Sequence, residues 1–216
     1  MDYFYGKDFQ RHREKIAAVL ERIPSTQSPN GWLRKETFAI GGLEYFGFAE
    51  NSDILFVISS SGRSLIDMAK DEKISRDNNV DFPLDERLLT SEGFDILKGE
   101  TIKLASKHGG SMLPVSNKSH ETLTKVSPLY PCEDIIFQPP YEHCLSEWHS
   151  KNCVRVYRGF PYCYGFSFSG KYFVIAHEGG ITYWEAEQAD QTCADNQQVL
   201  KAIKLNLSGL FNGHLD

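Results

Sequence analysis

Residues 165–184, GFSFSGKYFVIAHEGGITYW, decide the reading of the fold. A Ser-Gly turn at Ser169-Gly170 is followed by a run of strand formers. A second turn at Gly179-Gly180 then leads into an apolar, aromatic run. Short strands bounded by turn residues in this way are the pattern of consecutive β-hairpins. The same pattern occurs earlier, at residues 47–67, as GFAENSDILFVISSSGRSLID. Phe56-Val57-Ile58 aligns with Phe173-Val174-Ile175 and Gly62 with Gly179. Gly47-Phe48 aligns with Gly165-Phe166 if the turn carries one extra residue. The chain is therefore expected to contain a duplicated β unit.

Working outward, the composition bounds what surrounds these units. The chain has 216 residues, 41% apolar and 24% charged, which is ordinary globular usage and enough length for one domain with a sizeable core. No apolar run reaches the roughly eighteen residues of a membrane-spanning helix. The first residues, MDYFYGKDFQRHREKIAAVL, carry charge throughout and do not read as a secretory signal. Five cysteines at irregular spacing (132, 144, 153, 163 and 193) fit reduced thiols in a cytosol better than a disulfide framework. A cytoplasmic location is expected, with no membrane partner. The net charge of −6 argues against non-specific nucleic-acid binding, which needs clustered Lys and Arg, and permits a basic protein partner.

Taken in order, residues 8–23 read as an amphipathic helix. Phe9, His12, Ile16, Val19, Leu20 and Ile23 recur at helical spacing, and Pro24 ends the run. Such a face usually packs on its own core, so packing is preferred over partner binding. Residues 25–31 are a turn-rich linker. Strands are expected at 32–40, 43–48, 54–59, 64–68 and 73–76. Residues 77–99 read as a long acidic loop with one helical turn near 84–89. Further strands are expected at 100–106, 121–126, 133–138 and 154–157, then at 162–168, 171–176 and 181–186. Asp195 is expected to cap a final helix over 195–211. The prediction is a single, mainly β domain of antiparallel meanders over 32–187, flanked by an N-terminal helix within 1–24 and a C-terminal helix.

The phrase Phe166-Ser167-Phe168-Ser169-Gly170-Lys171, leading into Tyr172-Phe173-Val174-Ile175-Ala176, resembles the strand–turn–strand unit of propeller blades of the WD and TolB kinds. Phe168 stands where that family has Pro, Ser169 where it has Asp, and Trp184-Glu185 lies near the place of its Trp-Asp pair. The resemblance covers about twenty residues in each copy. A closed propeller needs at least four blades of about forty residues. Two blade-like meanders in an open or partial propeller, or in a sandwich, are therefore expected instead. The whole chain is also similar to small acidic bacterial proteins of this kind, some of which act as immunity proteins that neutralise a toxin made by the same cell. The features behind that likeness are the turn Ser61-Gly62-Arg63 and the segment Lys73-Ile74-Ser75-Arg76-Asp77.

Chemistry-bearing clusters were weighed against ordinary structural roles. His143, Cys144, His149 and Cys153 are of ligand type but lack the paired spacing of a zinc site, so no metal or other cofactor is expected. Ser111 near His108 lacks a nucleophile elbow, and Lys107-His108-Gly109-Gly110-Ser111 lacks phosphate-loop spacing. The expectation is a non-enzymatic protein-binding scaffold. Its partner surface would be the acidic Asp77, Asp81, Asp85, Glu86 and Glu92, together with Tyr141, Trp148, Arg155 and Arg158 in an aromatic stretch. The rival expectation is a small hydrolase or ligand-binding domain with a site near His108 and Ser111 or within 143–153.

Overall fold

The computed structural model describes residues 7–146 and 148–187. The expected C-terminal helix at 195–211 lies outside the described residues. Among the described residues, helix α1 (Lys7–Glu21) precedes fifteen strands. β1 is Trp32–Arg34, β2 Leu43–Phe48, β3 Ile54–Ser59, β4 Gly62–Asp67 and β5 Glu72–Asp77. β6 is Leu84–Asp85, β7 Thr90–Glu92, β8 Thr101–Lys103 and β9 Ala105–Ser106. β10 is Thr122–Leu129, β11 Cys132–Gln138 and β12 Val154–Gly159. β13 is Cys163–Phe166, β14 Tyr172–His177 and β15 Gly180–Ala186.

The strands form four antiparallel sheets, ordered β5-β4-β3-β2-β9, β6-β7-β8, β10-β11-β12 and β1-β15-β14-β13. The two quoted stretches are the meanders β2-β3-β4 and β13-β14-β15. Their alignment is one residue simpler than the sequence comparison suggested. Phe48 faces Leu55 across its hairpin as Phe166 faces Phe173, and Ser59 faces Gly62 as His177 faces Gly180. No extra turn residue is needed, and Gly62 corresponds to Gly180, not Gly179. The reason is backbone geometry. Gly62 and Gly180 have φ of +116° and +126°, a region closed to L side chains, and a Cβ on Gly180 would collide with the carbonyl of Phe38. Strand identity follows this constraint more strictly than it follows the aliphatic lettering.

The two central sheets bury both faces, so β2–β4 and β13–β15 read as nearly continuous apolar runs instead of alternating ones. Leu55, Val57 and Ile66 of the β2–β5 sheet pack against Val174, Ile181 and Tyr183 of the β13–β15 sheet. The other face of the β2–β5 sheet, with Phe56, Ile58 and Leu65, packs against Leu97, Ile102 and Leu104 beside the β6–β8 sheet. The other face of the β13–β15 sheet, with Phe166, Phe173 and Trp184, packs on Leu123, Ile135 and Phe137 of the β10–β12 sheet. Phe173 and Trp184 stack there at 4.5 Å between ring centres, and Trp32 meets Phe173 edge-on at 4.8 Å. Helix α1 covers the remaining face of the β10–β12 sheet through Ile16, Leu20 and Ile136.

The duplicated units point the same way along this stack. Leu65 faces the neighbouring β6–β8 layer, and its counterpart Tyr183 faces the β2–β5 layer. Phe48 faces the β13–β15 sheet, and its counterpart Phe166 faces the β10–β12 sheet. The copies are stacked head to tail, not mirrored across a common core. Among the described residues the stack does not close into a barrel or propeller.

Three local expectations are corrected. The first strand is confined to Trp32–Arg34, and Phe38 makes only an isolated bridge to Ile181, because residues 35–41 pass from one sheet to the next. Residues 84–89 form no helical turn. They are a β6–β7 hairpin whose turn is closed by Asp85, which accepts bonds from the amides of Arg87 and Leu88. His12 of the helix is exposed, so the packed stripe is narrower than the spacing implied.

Candidate functional site

The acidic segment between β5 and β8 packs on the fold through Phe82, Leu84, Leu89, Phe94 and Leu97, and Arg63 anchors it from β4. Arg63 occupies the position that Ile181 occupies in the other copy, but its side chain enters the layer between β4 and the β6–β8 sheet. Its guanidinium lies 4.6 Å from the Phe82 ring centre and 4.8 Å from that of Phe94. It donates to the Asp77 carboxylate at 2.6 Å and to the Glu92 carbonyl at 3.2 Å. Arg63 is 8% exposed, so these contacts compensate a charge largely removed from water. The Arg63 bond is the main reason the Asp77 carboxyl is held below the ordinary carboxylate range.

With Asp77 so engaged, Asp81, Asp85, Glu86 and Glu92 are the exposed acids of the expected set. Glu86 also accepts a bond from the Tyr45 hydroxyl. Burial first, and then Glu86, push the Tyr45 phenol above its usual value. Val80, Leu88 and Ile96 are exposed on the same segment, the first at 65%. Exposed acids and exposed apolar side chains thus occur together on this segment, whose backbone Arg63 helps to tie down.

The aromatic stretch divides into parts with different work. Tyr141 is 92% exposed with φ of +65°, and Trp148 is 83% exposed. Their loop joins β11 to β12 and is braced from beneath. Glu142 accepts from the backbone and side chain of Asn152, and Gln138 accepts from the Cys144 amide while donating to Thr122 and Thr124. Of the two arginines expected beside them, Arg155 is buried, whereas Arg158 is exposed and engaged in ion pairs. Arg155 is 6% exposed and donates to Asp134, to Ser25 and to the Leu20 carbonyl at the end of α1. Arg158 donates to Asp134 and Glu21. These bonds fasten the helix to β11 and β12 and satisfy a terminal helix carbonyl.

At the two rival locations, Ser111 and His143 make local hydrogen bonds. Ser111 Oγ accepts from the Leu113 amide, and His108 lies with Lys107, Tyr162 and Glu178 around a separate groove. His143 Nδ1 accepts from the Leu145 amide. Cys144 and Cys153 are buried, and burial followed by the Glu142 charge pushes the Cys153 thiol up to about 12. A protonated thiol is a poor nucleophile and metal ligand. Among the described residues, no three His, Cys, Asp or Glu side chains come together in a metal-holding arrangement.

Sequence reasoning missed Arg63 and Asp134 as organising residues. Both carried a signal: each is a charged residue at a position whose strand neighbours on the same face are apolar. Arg63 precedes Leu65, and Asp134 precedes Ile136. The chain matches no protein-family model and no curated protein.

Proposed function

We propose that the chain is a non-enzymatic binding scaffold that covers a basic surface of a protein partner with the outer face of residues 77–100. One observation carries this reading. Exposed carboxylates at Asp81, Asp85, Glu86 and Glu92 are interspersed with exposed Val80, Leu88 and Ile96 on a segment pre-ordered by the Arg63 clamp. Acidic groups speed and orient encounter with a cationic partner, and the apolar groups supply area to bury. A surface already ordered loses less entropy on binding. In its most concrete form, the scaffold is an immunity protein and the partner is a bacterial toxin domain, held so that its own site is blocked. The exposed Tyr141 and Trp148 supply a second contact. The architecture underneath is read as a partial propeller. The head-to-tail stacking of the two meanders supports that, as does the pairing of the early strand β1 with the last strand β15.

The test mixes the full chain with the toxin-like protein encoded beside it, at micromolar concentration, and follows elution volume. A shift to a complex is expected. It should weaken as salt rises, and it should disappear in a variant carrying Asp81→Lys, Asp85→Lys, Glu86→Lys and Glu92→Lys. An unchanged elution profile for the native chain counts against the reading.

A further inference from the structure

The turn after β3 and the edge strand β5 meet at a cavity of about 230 Å³ between the β3–β5 surface and the segment of residues 39–41. Its polar wall holds Ser59, Ser61 and Ser64 with Lys73 and Arg76, and no carboxylate lines it. In a chain of net charge −6, two cations facing three hydroxyls make a local reversal of sign. Strand register produces it, because Arg76 is the cross-strand partner of Ser64, and Lys73 that of Ile66.

The hydrogen bonds show which donors remain. Arg76 donates to the Ser64 and Ser61 hydroxyls, the Ser61 carbonyl and the Asn78 side chain, all neutral acceptors. Ser59 donates to the Gly62 carbonyl. Ser64 is 4% exposed and accepts from Arg76, which leaves its own proton to give into the cavity. Among the described residues Lys73 has no ion-pair partner, so its ammonium is a point charge at the rim. The planar Arg fork, which suits a carboxylate, is turned toward the serines. A hydroxyl from the floor and an ammonium from the edge instead suit an oxyanion with oxygens in several directions. Val57 and Ile66 add an apolar wall.

We propose that this cavity binds the phosphate group of a small phosphomonoester, held by the Lys73 ammonium and the Ser64 hydroxyl beside the Arg76 charge, with a short apolar body against Val57 and Ile66. The site is separate from the acidic face and needs no protein partner. Calorimetric titration of the full chain with inorganic phosphate, a short alkyl phosphate and butyrate, at constant ionic strength, tests it. The alkyl phosphate should bind saturably at one site and at least about tenfold more tightly than butyrate, a difference of about 1.4 kcal/mol. Lys73→Gln, an exposed change without effect on folding, should weaken that binding about tenfold, and Ser64→Ala should weaken it with the thermal midpoint retained. Three results would overturn the proposal: no saturable heat from either phosphate up to about 10 mM, equal binding of butyrate, or undiminished binding by the Lys73 variant.

Discussion

Single side chains decide where this molecule is sensitive. Asp134, 3% exposed, lies between the guanidinium groups of Arg155 and Arg158. Asp134→Ala leaves Arg155 buried without its counter-ion and should cost about 3–5 kcal/mol, read as a lower urea midpoint. Glu133→Ala, which removes the more exposed pair with Lys125, should cost less than about 1 kcal/mol. His177 offers a pH test. Its Nδ1 accepts from the Gly179 amide, so Nε2 carries the proton and donates to Thr182 at 2.9 Å. Burial, and then the nearby Arg34 charge, holds its pKa below the ordinary value. The folded state therefore prefers the neutral ring. That contribution is full above the unfolded histidine range, about 6.5, and is lost as pH falls through the lowered folded value. The thermal midpoint should drop on acidification through this window, and His177→Gln should flatten the drop. An equal slope in the variant would sink the assignment.

At the scale of elements, the strands were the most legible part of the chain. β2 and β3 match the expected bounds of 43–48 and 54–59, and both meanders are present. Continuous apolar runs of short length, closed by Gly and Asp turns, admit few other conformations. The acidic segment was read less well. Its β6–β7 hairpin is short, weakly patterned and held by Arg63 from a strand distant in sequence, so no local window contains the cause. Arg63→Ala should accelerate amide exchange across residues 82–94 and lower global stability by about 2 kcal/mol. Exchange unchanged in those residues would mean that the hairpin stands without the clamp. The candidate binding face was legible as charge, since charge is written in the residues. Its order was not, and neither was the burial of Arg155, which depends on the docking of α1.

For the whole molecule, the shared layers matter more than any single sheet. Each of the two central sheets contributes to two apolar clusters, so neither can lose its packing alone. Calorimetry should therefore show one cooperative transition over the β core, and two separated transitions would contradict this layering. By itself, the sequence determined the mainly β class, the helix before it, the two meanders and the acidity of the 77–99 segment. These follow from short-range periodicity, turn chemistry and charge, all of which act within a few residues. Only the tertiary structure decided the head-to-tail stacking, the Arg63 and Asp134 knots, and the meeting of Ser61 with Lys73 and Arg76 around one cavity. Those depend on which faces exclude water together. That choice is made by packing between segments far apart in the chain.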